Sequence, residues 1–131
     1  MAANTNPIFE EVVTCGSPQT FASGDTTTKK TVLTAGADGT RVDSIMCSTD
    51  DTVTVNLAFY ISISGTDYYI GNVNLPIGAG FTTVPRIDAV STLAPLLGYL
   101  VLPASALLKC NCVATMTAAK TTYVVPMGGD F

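Results

Sequence analysis

Histidine and tryptophan are missing from this 131-residue chain, and charge is scarce. Charged residues make up 12% of the sequence, against about 25% in an average soluble protein. Without histidine there is no Ser-His-Asp or Cys-His constellation and no imidazole metal ligand. Six Lys and Arg against ten Asp and Glu give a net charge of −4. That is not the basic footprint of a nucleic-acid binder, and it exerts no pull toward anionic lipid. Neighbouring carboxylates are poorly placed for acid–base work. Glu10–Glu11 and Asp50–Asp51 are adjacent, so their side chains diverge on an extended chain. Several of the other acids fall in turns, where Asp bonds its own backbone. No enzymatic activity, catalytic residue or cofactor is expected. Calcium lacks its D-x-D-x-D-G loop. Gly78, Gly80 and Gly128–Gly129 do not open a helix as a phosphate loop does. The longest apolar stretch, Leu93 to Leu102, is broken by Pro95 and Gly98. It falls short of the ~20 residues that span a bilayer, so no membrane partner is expected. The first residues have neither a cationic nor an apolar leader region, which implies folding in a cytosol-like compartment.

Four cysteines are present, Cys15, Cys47, Cys110 and Cys112. Reduced thiols are the expectation in that compartment. Cys110 and Cys112 share one face of an expected strand. Their spacing does not match the C-x2-4-C pairs of structural zinc sites. They read as small buried hydrophobes, and no metal site is expected.

Hydrophobic residues, by contrast, make up 47% of the chain, and their order is informative. From Thr52 to Ser64, Val53, Val55, Leu57, Phe59, Ile61 and Ile63 take every second position. Thr, Asn, Ala, Tyr and Ser take the others, so this is a strand with one buried face. Ser64-Gly65-Thr66 turns it into a second strand over Asp67 to Val73. Further strands are expected at Ile8–Thr14, Lys30–Ala35, Thr40–Cys47, Phe81–Val90, Tyr99–Leu102, Leu108–Thr117 and Thr121–Val125. Leu93–Leu97 reads as a turn or short helical segment because of Pro95. Turn signals recur every 8–12 residues or so, and no segment shows a helical period. The expected fold is all-β: an antiparallel two-sheet sandwich, jelly-roll-like, of about eight strands. Residues 1–8 read as an extended N-terminal arm, 9–126 as the β-sandwich domain, and 127–131 as a C-terminal tail.

Three short motifs carry a resemblance. They are Ala3-Asn-Thr-Asn-Pro-Ile-Phe9, Thr34-Ala-Gly-Ala-Asp-Gly-Thr-Arg-Val-Asp-Ser-Ile45, and the closing Gly128-Gly-Asp-Phe131. Together with the Leu102-Pro103 step they resemble a family of small tailed-bacteriophage and prophage virion proteins. The resemblance spans most of the chain and implies a structural protein, most like a head decoration (cement) protein. It implies a major capsid protein as partner and a position on the capsid exterior after synthesis in the host cytoplasm. Cys110 and Cys112 depart from the family pattern.

The expected function is therefore decoration and stabilisation of a bacteriophage capsid, as a homotrimer or homodimer. The candidate interface residues are Asn4, Asn6, Pro7 and Phe9 in the arm, Arg41, Tyr60 and Arg86 on strands, and Met127 and Phe131 in the tail. Arg41 stands two residues from Asp43 on one strand face, within reach of an ion pair. Tyr60 lies on the polar face of the long strand, where it can pack a second layer or a partner. The alternative is a receptor- or glycan-binding virion module, which calls for exposed Tyr, Asn and Asp at one end of the sandwich. A neck or tail component of the same virion is the third reading.

Overall fold

The computed structural model describes residues 12–131. Its elements are β1 (Val12–Thr14), β2 (Gln19–Phe21), β3 (Lys30–Thr34), β4 (Thr40–Thr49), β5 (Val55–Ile63), β6 (Thr66–Leu75), β7 (Ile87–Asp88), α1 (Ala89–Leu93), β8 (Leu100–Leu102), β9 (Leu107–Cys112) and β10 (Thr122–Asp130). The first sheet has the order β1-β10-β4-β7, with β2 also on β10 and β8 also on β4. The second has the order β3-β9-β5-β6. All pairings are antiparallel.

β1 and β2 take the same edge of β10, and β7 and β8 take the same edge of β4. Counted as two broken strands, they leave eight strand positions, ordered 1-8-3-6 in one sheet and 2-7-4-5 in the other. Only β5 and β6 follow each other within a sheet; every other connection between positions crosses to the opposite one. That is the rolled-up double Greek key of a jelly roll, in agreement with the expected all-β sandwich.

The inward faces fill one core. Val55, Leu57 and Phe59 of β5 are buried as the alternation requires; Leu57 lies across from Cys112 of β9, Phe59 from Cys110, and Ile61 from Leu108. Ile45 and Cys47 of β4, Val124 of β10, and Phe21 and Leu102 close the core from the first sheet. Each fully buried side chain of this size contributes about 1.5–3 kcal/mol. The alternation ends before the sequence pattern does: Ile63 is exposed and Val53 lies ahead of the strand.

Three expectations need correction. β9 ends at Cys112, so the expected strand Leu108–Thr117 forms only in its first half; beyond it the Thr117 amide donates to the Asp51 carboxylate. The segment Phe81–Val90 is not a strand. Tight turns at Gly78 and Gly80 occupy its start, with the Phe81 amide bonded to the Gly78 carbonyl. Only Ile87–Asp88 pairs, and α1 follows.

Nor does the last strand stop at Pro126. β10 runs to Asp130 and lies inside the first sheet, so 127–130 is core architecture rather than a tail. A proline lacks the N–H that a ladder uses. Here it falls where that edge of β10 passes from β2, which pairs through Val124, to β1, which pairs from Gly128. The Gly16 bend between β1 and β2 packs on the Pro126 ring. The interruption of the edge and the missing donor coincide.

Candidate functional site

The register of β10 on β4 decides what the first sheet shows to the outside. Tyr123 pairs with Ser48, Val125 with Met46, Met127 with Ser44, and Gly129 with Arg41. Their partners along each strand, among them Val124, Ile45 and Cys47, point into the core. Val13 of β1 lies beside Gly129 and Val101 of β8 beside Arg41 on the same face. The Phe81 ring lies against Tyr123, centroids 5.7 Å apart. The outer face of the first sheet is thus apolar across most of its width. Val13 is 83% exposed and Phe81 52%.

Charge on this face is spent locally. Arg41 Nε donates to Asp43 Oδ1 at 2.7 Å, and its guanidinium stands 4.2 Å from the Tyr99 ring. Asp43 is the extra residue of a bulge, since Met127 pairs with Ser44 and Gly128 already with Val42. Arg41 and Asp43 share a face by their spacing, and the bulge shifts the alternation so that Arg41 also lies on the face of Ser44 and Met46. Asp88 accepts from the Ile45 and Val90 amides.

The outer face of the second sheet is polar. Across it run the rows Lys109–Tyr60–Tyr69, Asn111–Ala58–Asn72 and Asn56–Asn74. The segment 22–29 lies against part of it. Asn111 Nδ2 donates to the Thr27 carbonyl, and Lys29 Nζ stands 4.0 Å from the Tyr60 ring centroid. Lys29 also donates to Asp67 at 3.0 Å, with Lys109 3.4 Å away. The Lys29 and Ser62 hydrogen bonds hold the Asp67 carboxyl below its ordinary range. Asp25 accepts from the Ala22 amide and pairs with Lys30, which anchors the start of the segment.

Three of the expected interface residues therefore share one face. Arg41 and Met127 lie on the outer side of the first sheet, and Arg86 stands beside Gly80 and Ser48 at the Phe81 end of it. Tyr60 is on the opposite face, packed by Lys29 and Tyr69. Phe131 is half-buried, and its amide donates to the Gly39 carbonyl. Asn4, Asn6, Pro7 and Phe9 lie outside the described residues. Sequence reasoning missed Met46, Tyr123 and Val125. The Tyr123-Val125-Met127 alternation was the available signal, hidden by reading Pro126 as a stop.

Two of the motifs behind the phage resemblance meet in space. Asp130 pairs with Thr40 and Gly129 with Arg41. The Thr40 hydroxyl donates to Asp130 and accepts from the Gly36 amide. Gly39 has a φ of +94°, and a Cβ there would stand 2.8 Å from the Leu102 carbonyl oxygen. A Cβ on Gly128 would collide with the Arg41 carbonyl oxygen. These motifs are a clasp between β4 and β10, so they specify the fold rather than a chemical site.

Cys47, Cys110 and Cys112 are buried and free. Burial pushes the Cys47 thiol up to about 12 and Cys112 to about 11, and raises Cys110 well above the thiol range. They are packing groups, while Cys15 is exposed. Among the described residues no group of three or more Cys, Asp or Glu is placed to hold a metal ion. No family model matches the chain, and neither a curated protein nor a solved structure is significantly similar to it.

Proposed function

We propose that this protein is a bacteriophage virion structural protein that decorates and stabilises the capsid by binding the major capsid protein lattice. The observation that carries the reading is the apolar character of the outer face of the first sheet, with the half-buried Met46 and Val125 and the exposed Met127 and Tyr123 at its centre. Charge depletion with aromatic and Met enrichment is the composition of an interface core. Burying such a face yields roughly 25 cal/mol per Å² of apolar area before association costs. The resemblance of the three motifs to phage virion proteins supplies the partner.

The test is co-assembly with the major capsid protein of the phage that encodes the chain. The protein should sediment with assembled shells in copy numbers that match the lattice. Val125→Glu, which sets a charge in mid-face, should abolish binding. Val125 is half-buried, so the isolated chain should lose about 1 kcal/mol of stability and remain folded. Full occupancy by the Val125→Glu protein would refute the assignment of this face. Copy numbers of a single ring would place the protein at a neck or tail instead.

A further inference from the structure

We propose that the exposed strip of the second sheet, formed by Asn56, Asn72, Asn74 and Tyr69, binds a neutral oligosaccharide. The inference is separate from the capsid reading, because it concerns the opposite outer face and is tested on the isolated chain.

Asparagine is the first reason. It is depleted in strands, where Thr suits the pleated surface better, and this chain is rich in Thr. Yet beyond residue 11 its four asparagines are Asn56, Asn72, Asn74 and Asn111. All four fall on the outer face of this one sheet. Concentrated departures from local preference mark functional surfaces. Asn111 is spent on the 22–29 segment; the other three are exposed.

Geometry is the second reason. Asn72 and Asn74 are two apart on one strand, about 6.5–7 Å. Asn56 lies directly across from Asn74, with Cβ atoms about 5 Å apart. Each amide offers both donors and an acceptor, and so matches hydroxyl groups, which do both. The Tyr69 ring, 59% exposed, supplies an apolar platform beside them. Its hydroxyl donates to Asn72 Oδ1 at 2.8 Å, and its ring meets Tyr60 at 5.8 Å. These contacts fix the ring before any ligand arrives, which reduces the ordering cost of binding. Rigid Tyr area with adaptable Asn hydrogen bonding is also the chemistry of antibody paratopes.

Charge is the third reason. Lys29 and Lys109 stand beside the strip, but both are held on Asp67. An anion would have to displace that pairing, whereas a neutral polyol need not. A protein partner would call for the apolar area that lies on the other face.

Affinity electrophoresis in gels containing dextran, glycogen, xylan or galactomannan tests the proposal, with dextran sulfate as the anionic arm. At least one neutral polymer should retard the protein. Tyr69→Ala should weaken that retardation about tenfold, or about 1.4 kcal/mol. The double variant Asn72→Thr, Asn74→Thr improves strand propensity, so it should fold at least as well and bind as weakly. Val125→Glu should bind like the unaltered chain. Retardation by no neutral polymer, by dextran sulfate alone, or unchanged in the folded double variant would overturn the proposal.

Discussion

On the second sheet the chain covers part of its own outer surface: the 22–29 segment lies over Asn111 and Tyr60 and is fastened by Lys29 to Asp67. On the first sheet Met46 and Val125 are half-buried, Met127 is exposed, and the Phe81 ring rests on Tyr123. Three of the six cations, Lys29, Lys30 and Lys109, hold the covering segment or its partners. The scarcity of charge is thus unevenly shared. The two faces differ in composition: neutral hydrogen-bonding groups on one, apolar side chains on the other.

The largest expected effect comes from removing the clasp beneath the apolar face. Gly128→Val puts a side chain where even a Cβ would collide with the Arg41 carbonyl oxygen. Backbone cannot yield as a flexible side chain does, so β4 and β10 must separate. The expected cost is about 3 kcal/mol or more, read as a lowered urea midpoint. If Gly128→Val unfolds like the unaltered chain, the clasp is not what holds the first sheet's register.

A carboxylate belonging to neither face comes next. Asp51 is buried and accepts from the Val53 and Thr117 amides, tying the start of β5 to the β9–β10 connection. Burial alone would raise its carboxyl, but the Thr117, Val53 and Thr52 hydrogen bonds outweigh it and lower the value below the ordinary 3.8. A lowered folded value means the stabilisation is complete above the unfolded value and is lost as pH falls through the folded one. Asp51→Asn should cost about 2 kcal/mol at pH 7, and the gap to the unaltered chain should narrow below about pH 4. Both faces should be lost together, seen as coincident Tyr fluorescence and far-UV transitions. A gap independent of pH would show that the carboxylate charge is not what ties the loop.

Much of this architecture is legible in the sequence where the information is local. Val55, Leu57 and Phe59 announce β5 by alternation alone, and Ser64-Gly65 announces the turn into β6. Strand spacing points to an antiparallel sandwich or barrel, and the long central strand with uneven loops favours the two-sheet sandwich. What stayed hidden depends on partners far away in the chain. Pro126 reads as a stop until β1 and β2 are seen to change over beside it. Phe81–Val90 reads as a strand because its turns at Gly78 and Gly80 are set by backbone geometry. The candidate faces suffered in the same way. Arg41 and Met127 are legible singly, but that they share one face of β4 and β10 is a matter of register, including the Asp43 bulge.

The smallest expected effect bears most directly on the contrast between the faces. Lys29 over the Tyr60 ring is a cation–π contact at 4.0 Å, worth about 0.5–1 kcal/mol at an exposed site. A double-mutant cycle of Lys29→Met with Tyr60→Leu isolates it, because each single change removes the contact while leaving an apolar stem of similar length. A coupling energy in that range means the roof over the second sheet is held by this contact in addition to the salt bridge, and hydrogen exchange at Ala58 and Asn111 should quicken in Lys29→Met. The Lys29–Asp67 part weakens with added salt, whereas the ring contact, partly covered by Tyr69, should persist. If the coupling is zero and exchange is unchanged, the segment lies on the sheet without being fastened there, and the two faces differ in composition only.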